Sequence, residues 1–133
     1  MKIKVLILIV ALIFLYIPSP VYATGIAFDY AVAPTYGGSS SITVTFSHTI
    51  GAGSNMILFV SATGNQSPTA TLTATYNGTS MTELCHSIDN VGTGVPTYLF
   101  YMKNPPSGAH NVVVTSSTAK VVASSISYSG VIS

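Results

Sequence analysis

An alternation of apolar residues with threonine or serine runs through most of this chain and constrains what it can fold into. In SITVTFS, residues 41–47, Ile42, Val44 and Phe46 alternate with hydroxyl side chains. In TATLTATY, residues 69–76, threonine occupies every second position. Because successive side chains of an extended strand point to opposite faces, a period of two predicts strands with one face in a core and one in water. A slip of one residue would bury the threonines, so the register should be firmly set.

Eight segments carry a strand-like pattern, and turn-forming residues separate them. The segments are residues 26–32, 41–47, 55–63, 69–76, 80–85, 96–103, 109–116 and 120–128. After Ala23, no stretch has an apolar stripe of useful length with helical spacing. Short strands with a turn about every ten residues are typical of a sandwich or a barrel. The sequence therefore predicts an all-β fold of about seven or eight antiparallel strands.

Three local features add detail. MILFV, residues 56–60, is apolar on both faces and predicts a central strand that is covered on both sides. The Asn-Gly pair at residues 77–78 suits a type I′ hairpin, because both residues tolerate positive φ. In NPPSG, residues 104–108, the prolines end one strand, Asn104 is expected to be extended because it precedes proline, and Gly108 permits a reversal. This segment is predicted to be a stiff hairpin corner between two strands.

The N-terminal segment has the order of a secretory signal peptide. Lys2 and Lys4 precede an apolar run at residues 5–17, and the segment closes with Val-Tyr-Ala at Ala23. The run has thirteen residues, fewer than the roughly 20 that a membrane-spanning helix needs. We expect residues 1–23 to be a signal peptide cleaved after Ala23, leaving one domain, residues 24–133, that is secreted or displayed at the cell surface. A retained N-terminal anchor is the alternative.

Charge is scarce in this expected domain, which has two lysines, no arginine and three acids, and so a formal charge of −1. A nucleic-acid-binding protein needs clustered cations to displace counterions from phosphate. Docking on an anionic membrane needs a similar cluster. The composition therefore excludes both kinds of partner, and serine, threonine and asparagine must keep the domain in solution.

Cys85 is the only cysteine of the chain. An internal disulfide is therefore impossible even in an oxidising compartment, and stability must come from packing. We expect Cys85 to be a small buried hydrophobic residue, with an intermolecular disulfide or a reactive thiol as the alternatives.

The titratable side chains are too few to predict an active site or a metal centre. Glu83 and Asp89 are the acids nearest each other in sequence, whereas a glycosidase needs two carboxylates facing each other across a cleft. Cys85 and His86 are adjacent, so on an extended chain they point to opposite faces and would not share a metal ion. The chain has no G-x-S-x-G motif for a serine nucleophile. We expect a protein that is not an enzyme and has no cofactor or metal.

Tyrosines are the remaining candidates for a binding surface. Six lie in the expected domain, and near asparagine and threonine their rings would stack on sugars. The possible ligand-binding set is Tyr36, Tyr76, Tyr98 and Tyr101. The alternative is that these rings cap the core and direct only their hydroxyls to solvent.

Four ordered segments of the chain match the pattern of a known domain. With SHTIGAGSNMILFV, ATYNGTSMTEL, TYLFYMKNPPSGAHNVVVT and VVASSISYSGV, the chain resembles a domain of unknown function from bacterial secreted, surface and phage-associated proteins. It departs from that group at Met56, where the group has arginine, and in its length, because such domains continue with further strands. The resemblance implies a minimal or truncated extracellular β-sandwich, jelly-roll or immunoglobulin-like in layout, that acts as an accessory or adhesive module without catalytic residues.

Taken with the resemblance, these patterns favour a non-enzymatic extracellular module for adhesion or assembly. Its partner would be a polysaccharide or another protein subunit, the latter recruited through a sheet edge left bare by the final strand. The alternative is a carbohydrate-binding module that uses surface tyrosines. An enzyme is disfavoured because so few groups of the expected domain titrate.

Overall fold

The described part of the chain is a β-sandwich without helices. The computed structural model describes residues 25–38, 41–64, 69–87, 94–118 and 120–131. Its strands are β1 (Ala27–Tyr36), β2 (Thr43–Ile50), β3 (Ile57–Gly64), β4 (Leu72–Tyr76), β5 (Thr79–Ser80), β6 (Thr82–Ser87), β7 (Thr97–Lys103), β8 (Gly108–Ser116) and β9 (Val121–Ser129). The prediction of an all-β antiparallel sandwich is confirmed. The predicted signal peptide lies outside the described residues, and within them no helix is long and apolar enough to span a bilayer.

The nine strands form two sheets. The five-stranded sheet has the order β1-β9-β3-β7-β6, and the four-stranded sheet has the order β2-β8-β4-β5. The final strand, β9, pairs with β1 on one side and with β3 on the other. The prediction that the last strand leaves a bare edge is therefore wrong, and β1 and β6 are the edges of the larger sheet.

Both edge strands of the five-stranded sheet carry irregularities. The β1–β9 register shifts across residues 28–30 and again across residues 32–35, and the β6–β7 register shifts across residues 83–85. β1 also contains Pro34, which lacks an N–H to donate. Bulges and edge prolines oppose the addition of a further strand. Recruitment of another subunit along either of these two edges is therefore disfavoured.

The core lies between the two sheets and is built from alternate positions along the strands. Val44, Phe46 and Leu72 are buried there, as the alternation predicted. Ile42, predicted to point inward with them, is 45% exposed. This part of the prediction is wrong because β2 begins at Thr43, so Ile42 lies outside the strand.

Two of the local sequence features have clear outcomes. Asn77 and Gly78 both have positive φ, 49° and 74°, and join β4 to β5 as a tight hairpin. The last four residues of MILFV form the first half of β3, which is a central strand between β9 and β7. One of its faces packs on the four-stranded sheet, but among the described residues no element covers the other. The prediction that this strand is covered on both faces is therefore correct for one face and wrong for the other.

The NPPSG segment connects the two sheets. β7 belongs to the five-stranded sheet and β8 to the four-stranded sheet, so residues 104–108 form a corner between sheets and not the predicted hairpin. Gly108 has the expected positive φ, 98°. Asn104 also has positive φ, 47°, and so is not extended as predicted. Its N–H donates to the carbonyl oxygen of Met56 at 2.8 Å, and asparagine tolerates this backbone region better than most residues.

The start of β2 leaves no room for a side chain at Gly37. A Cβ there would lie 2.5 Å from the carbonyl oxygen of Thr43 and 3.2 Å from its carbonyl carbon. We expect Gly37→Ala to lower the free energy of unfolding by about 1–3 kcal/mol, because backbone atoms must shift. Urea denaturation measures this. Gly25→Ala is the matched control, since nothing lies within 4 Å of its Cβ position, and equal stability of the two variants would contradict the prediction.

Candidate functional site

A chain of polar side chains crosses the core and links β2 to β9 and β1. His48 of β2 is fully buried. Its Nδ1 lies 2.7 Å from the hydroxyl of Ser125, and its Nε2 lies 2.9 Å from the hydroxyl of Ser127. The Ser127 hydroxyl donates to Oδ2 of Asp29 at 2.7 Å. The same carboxylate oxygen accepts the N–H of Gly51 at 3.2 Å, so each polar group of this cluster has a partner.

The hydrogen bond from Ser127 to Asp29 assigns which nitrogen of His48 donates. Because Ser127 gives its proton to Asp29, its oxygen accepts the Nε2–H of His48. In the neutral imidazole, which burial favours, Nδ1 then accepts from the hydroxyl of Ser125. Burial lowers the pKa of His48, and the negative charge of Asp29 opposes that shift more weakly. The sequence patterns did not predict this cluster, although His48 is in phase with the inward-facing Val44 of β2.

The cluster is a structural link and does not have the geometry of a catalytic triad. In a triad the serine donates to histidine and the histidine donates to the acid. Here Ser127 donates to the acid directly, and both Ser127 and His48 have no exposed surface. Satisfied buried polar groups of this kind fix the relative position of the elements that carry them.

Two of the four predicted ligand-binding tyrosines are buried. Tyr76 has no exposed surface and Tyr98 is 4% exposed. The Tyr76 hydroxyl lies 3.2 Å from the carbonyl oxygens of His48 and Gly108, and burial followed by the charge of Asp29 raises the pKa of this tyrosine. No sugar ring reaches either side chain, so the prediction of surface platforms is wrong for both. They occupy inward positions of β4 and β7, which the alternation alone could have shown.

The other two predicted tyrosines lie on the outer face of the five-stranded sheet but not together. Tyr36 ends β1 and is 51% exposed. Tyr101 is a half-buried residue of β7. Strands β9 and β3 lie between the strands that carry these two residues. Tyr101 is level with Phe59 of β3, whereas Tyr36 is level with Thr63, so the two tyrosines do not form one site.

The outer face of the five-stranded sheet is apolar over much of its area. We call this surface the apolar face; its residues are Phe28, Phe59, Leu99, Tyr101, Ile126 and Tyr128. Across four strands, Tyr101, Phe59, Ile126 and Ala31 lie side by side in register. The rings of Phe28 and Tyr128 meet edge to face, with centroids 6.3 Å apart. Within the described chain no element packs on this face, and a shallow groove of about 320 Å³ crosses it.

A second concavity lies where β7 ends. We call it the rim groove; it has a volume of about 470 Å³ and is lined by Thr79, Ser80, Thr82, Tyr101, Met102, Lys103, Asn104 and Pro106. Its lining residues include one tyrosine, three residues with hydroxyl groups, one asparagine and one lysine. No carboxylate is among these lining residues, and among the described residues no ion pair includes Lys103.

Cys85 is exposed, and the prediction that it is buried is wrong. It lies in β6, an edge strand whose six residues are all exposed. The register shift in this strand inserts one extra residue, which brings Glu83 and His86 to one side. Their side chains meet at 2.6 Å between Oε1 and Nδ1. Among the described residues, which exclude Asp89, no three His, Cys, Asp or Glu side chains are placed to hold a metal ion.

Comparison of the chain with family models, curated proteins and solved structures found no match. The resemblance to a domain of bacterial surface proteins thus stays a prediction from the residues that carry it. Among the described residues, the apolar face and the rim groove are candidate binding surfaces.

Proposed function

We propose that the protein is a non-enzymatic extracellular module for adhesion or assembly, which associates with a second copy of itself through the apolar face. The observation that carries this proposal is the contrast between the two outer faces of the sandwich. An antiparallel sheet normally turns polar residues outward. The four-stranded sheet does so with Thr45, Ser47, Thr49, Thr73, Thr75 and Thr115. The five-stranded sheet instead presents the rings and aliphatic side chains of the apolar face, with hydroxyl residues such as Ser61 and Ser124 beside them.

The size of the apolar face supports weak self-association. The whole five-stranded sheet, with strands about 4.8 Å apart and about seven residues of about 3.3 Å in each, has a footprint of about 500 Å². The apolar face occupies part of it, so two faces would bury at most about 1,000 Å², which is the lower limit for a specific interface. We therefore expect a dimer that forms with increasing concentration and dissociates on dilution.

The distribution of charge also supports a second copy as the partner. The six residues that define the apolar face are uncharged, and Lys103, which is in phase with Tyr101, lies at the end of β7. The centres of two such faces therefore meet without repulsion between like charges. The bulged edges of β1 and β6 disfavour pairing strand to strand along the larger sheet. For this sheet, packing face to face is therefore more favourable than pairing through either edge.

Replacing Ile126 with lysine tests this proposal. Ile126 is near the centre of the apolar face, so a buried unpaired ammonium should raise the dissociation constant at least tenfold, or about 1.4 kcal/mol. Sedimentation velocity over a wide range of concentration measures the association. Thr73→Lys adds the same charge to the outer face of the other sheet and should leave association unchanged. A native protein that stays monomeric throughout, or equal behaviour of both variants, would refute the proposal.

Carbohydrate binding is the second candidate function, and the rim groove is the observation that favours it. Tyr101, one of the four predicted tyrosines, lines this groove beside hydroxyl and amide side chains. A ligand site typically combines apolar surface with a few well-placed polar groups. This function would make the protein a polysaccharide-binding module of the cell surface.

A further inference from the structure

We infer that the rim groove binds an acidic saccharide, whose carboxylate pairs with Lys103 while a sugar ring stacks on Tyr101. This inference rests on the second candidate function and specifies the class of its ligand.

The charge of the groove selects an anion. Lys103 is the last residue of β7 and is exposed. None of the other lining residues is charged, so nothing in the groove neutralises the ammonium group. A ligand carboxylate would form a charge-assisted hydrogen bond with it, which is stronger than a bond between neutral groups. A cationic ligand would meet repulsion here.

The ring of Tyr101 is held by strands on both sides. β7 lies between β3 and β6, and Tyr101 pairs with Phe59 on one side and Thr82 on the other. The side chain is half-buried and part of it remains open to solvent. An aromatic ring held in this way gives contact area at little cost in conformational entropy. The C–H face of a sugar ring offers a complementary apolar surface, whereas an extended acidic peptide does not.

The remaining lining groups match the hydroxyls of a sugar. Thr79, Ser80 and Thr82 contribute hydroxyls that both donate and accept, and Asn104 contributes an amide. Thr79, Ser80 and Thr82 are exposed, so binding does not require a core residue to move. A volume of about 470 Å³ falls within the usual range for small-molecule sites, about 300–1,000 Å³. The groove fits one or two sugar units of a longer chain.

Calorimetric titration of the full chain with an oligomer of galacturonic acid tests this inference. The neutral methyl ester of the same oligomer and a poly-glutamate peptide are the comparison probes. We expect the acidic oligomer to bind, and the ester and the peptide to bind at least tenfold more weakly. Lys103→Met and Tyr101→Ala should each weaken binding of the acidic oligomer about tenfold. Lys120→Met is the matched control, because it removes the same charge outside the groove and should leave binding unchanged.

The outcomes separate this inference from the function on which it rests. If the ester binds as tightly as the acid and Tyr101→Ala weakens both, carbohydrate binding stands but the acidic specificity is refuted. If neither oligomer binds, the inference is refuted. Equal loss in Lys103→Met and Lys120→Met would show nonspecific attraction, and equal binding of poly-glutamate would show that the ligand is not a saccharide. Either of these results overturns the inference.

Discussion

Replacing Tyr76 with alanine is expected to lower the free energy of unfolding by about 3–5 kcal/mol. The ring is fully buried between the sheets and lies 5.6 Å from the ring of His110 and 6.4 Å from that of His48, measured between centroids. Its hydroxyl also lies within hydrogen-bond distance of the carbonyl oxygens of Pro106 and Gly108, which belong to the corner between β7 and β8. Alanine would leave a cavity and would remove the hydrogen bonds to this corner. Because a domain is stable by only about 5–15 kcal/mol, the loss would be a large part of the total.

Two further variants distinguish the contribution of the Tyr76 ring to stability from that of its hydroxyl, and from the effect of removing any tyrosine. Tyr76→Phe keeps the ring and removes one hydrogen bond, so it should cost about 1 kcal/mol. Tyr36→Ala removes an exposed tyrosine from the end of β1 and should cost less than the core substitution. Urea unfolding monitored by circular dichroism measures all three. A Tyr76→Ala protein as stable as Tyr36→Ala would contradict the role assigned to this residue.

Acidification is expected to destabilise the native protein through His48. Burial lowers the pKa of this imidazole in the folded state, whereas in the unfolded chain it titrates near pH 6.5. Below about pH 6.5 the unfolded state therefore binds a proton that the folded state does not. The free energy of unfolding should fall by up to about 1.4 kcal/mol per pH unit, until the pH passes the lowered pKa of the folded state.

The groups that contact His48 favour its neutral form over its protonated form. Ser125 and Ser127 bond its two nitrogens, and the rings of Tyr30 and Tyr76 meet it edge to face. A proton on Nδ1 would turn that nitrogen into a second donor, and the hydroxyl of Ser125 would have to reverse. The carboxylate of Asp29 bonds Ser127, which in turn bonds His48. Its negative charge therefore offsets only part of the cost of protonating His48.

Urea unfolding at several pH values between about 7.5 and 5 measures this dependence. His48→Gln should be less stable than the native protein at neutral pH and should lose most of the decline in stability between about pH 6.5 and 5. His86→Gln is the control, because His86 lies on the exposed edge strand β6 and its loss should leave the decline nearly intact. A His48→Gln protein that retains the full decline would show that other groups cause it.

The sequence was enough to predict which side chains of a strand point to the same face. Because side chains alternate along any extended strand, the spacing of Val44, Phe46 and Leu72 was enough to place them in the core before any partner strand was known. The turn at Asn77-Gly78 was equally local, since it depends on which residues tolerate positive φ. The same phase rule, applied consistently, would have placed His48, Tyr76 and Tyr98 inside.

Other features depended on partners that are distant in sequence. The sequence patterns left open which strand pairs with which, so they could not show that β9 is central or that NPPSG joins two sheets. Nor could they show that Cys85 lies on an edge strand, or that the rim groove gathers residues from three strands and a corner. Whether a residue is exposed depends on which elements cover it, and strand pairing brings those elements from distant parts of the chain.

The sequence by itself thus determined that the domain is all-β and which residues of most strands point inward, because these depend on local geometry with a period of two. The tertiary structure alone decided which outer face stays apolar and uncovered, which edges are irregular, and where Tyr101 meets Lys103. These properties follow from strand order and register, and both are set by contacts between segments that lie far apart along the chain.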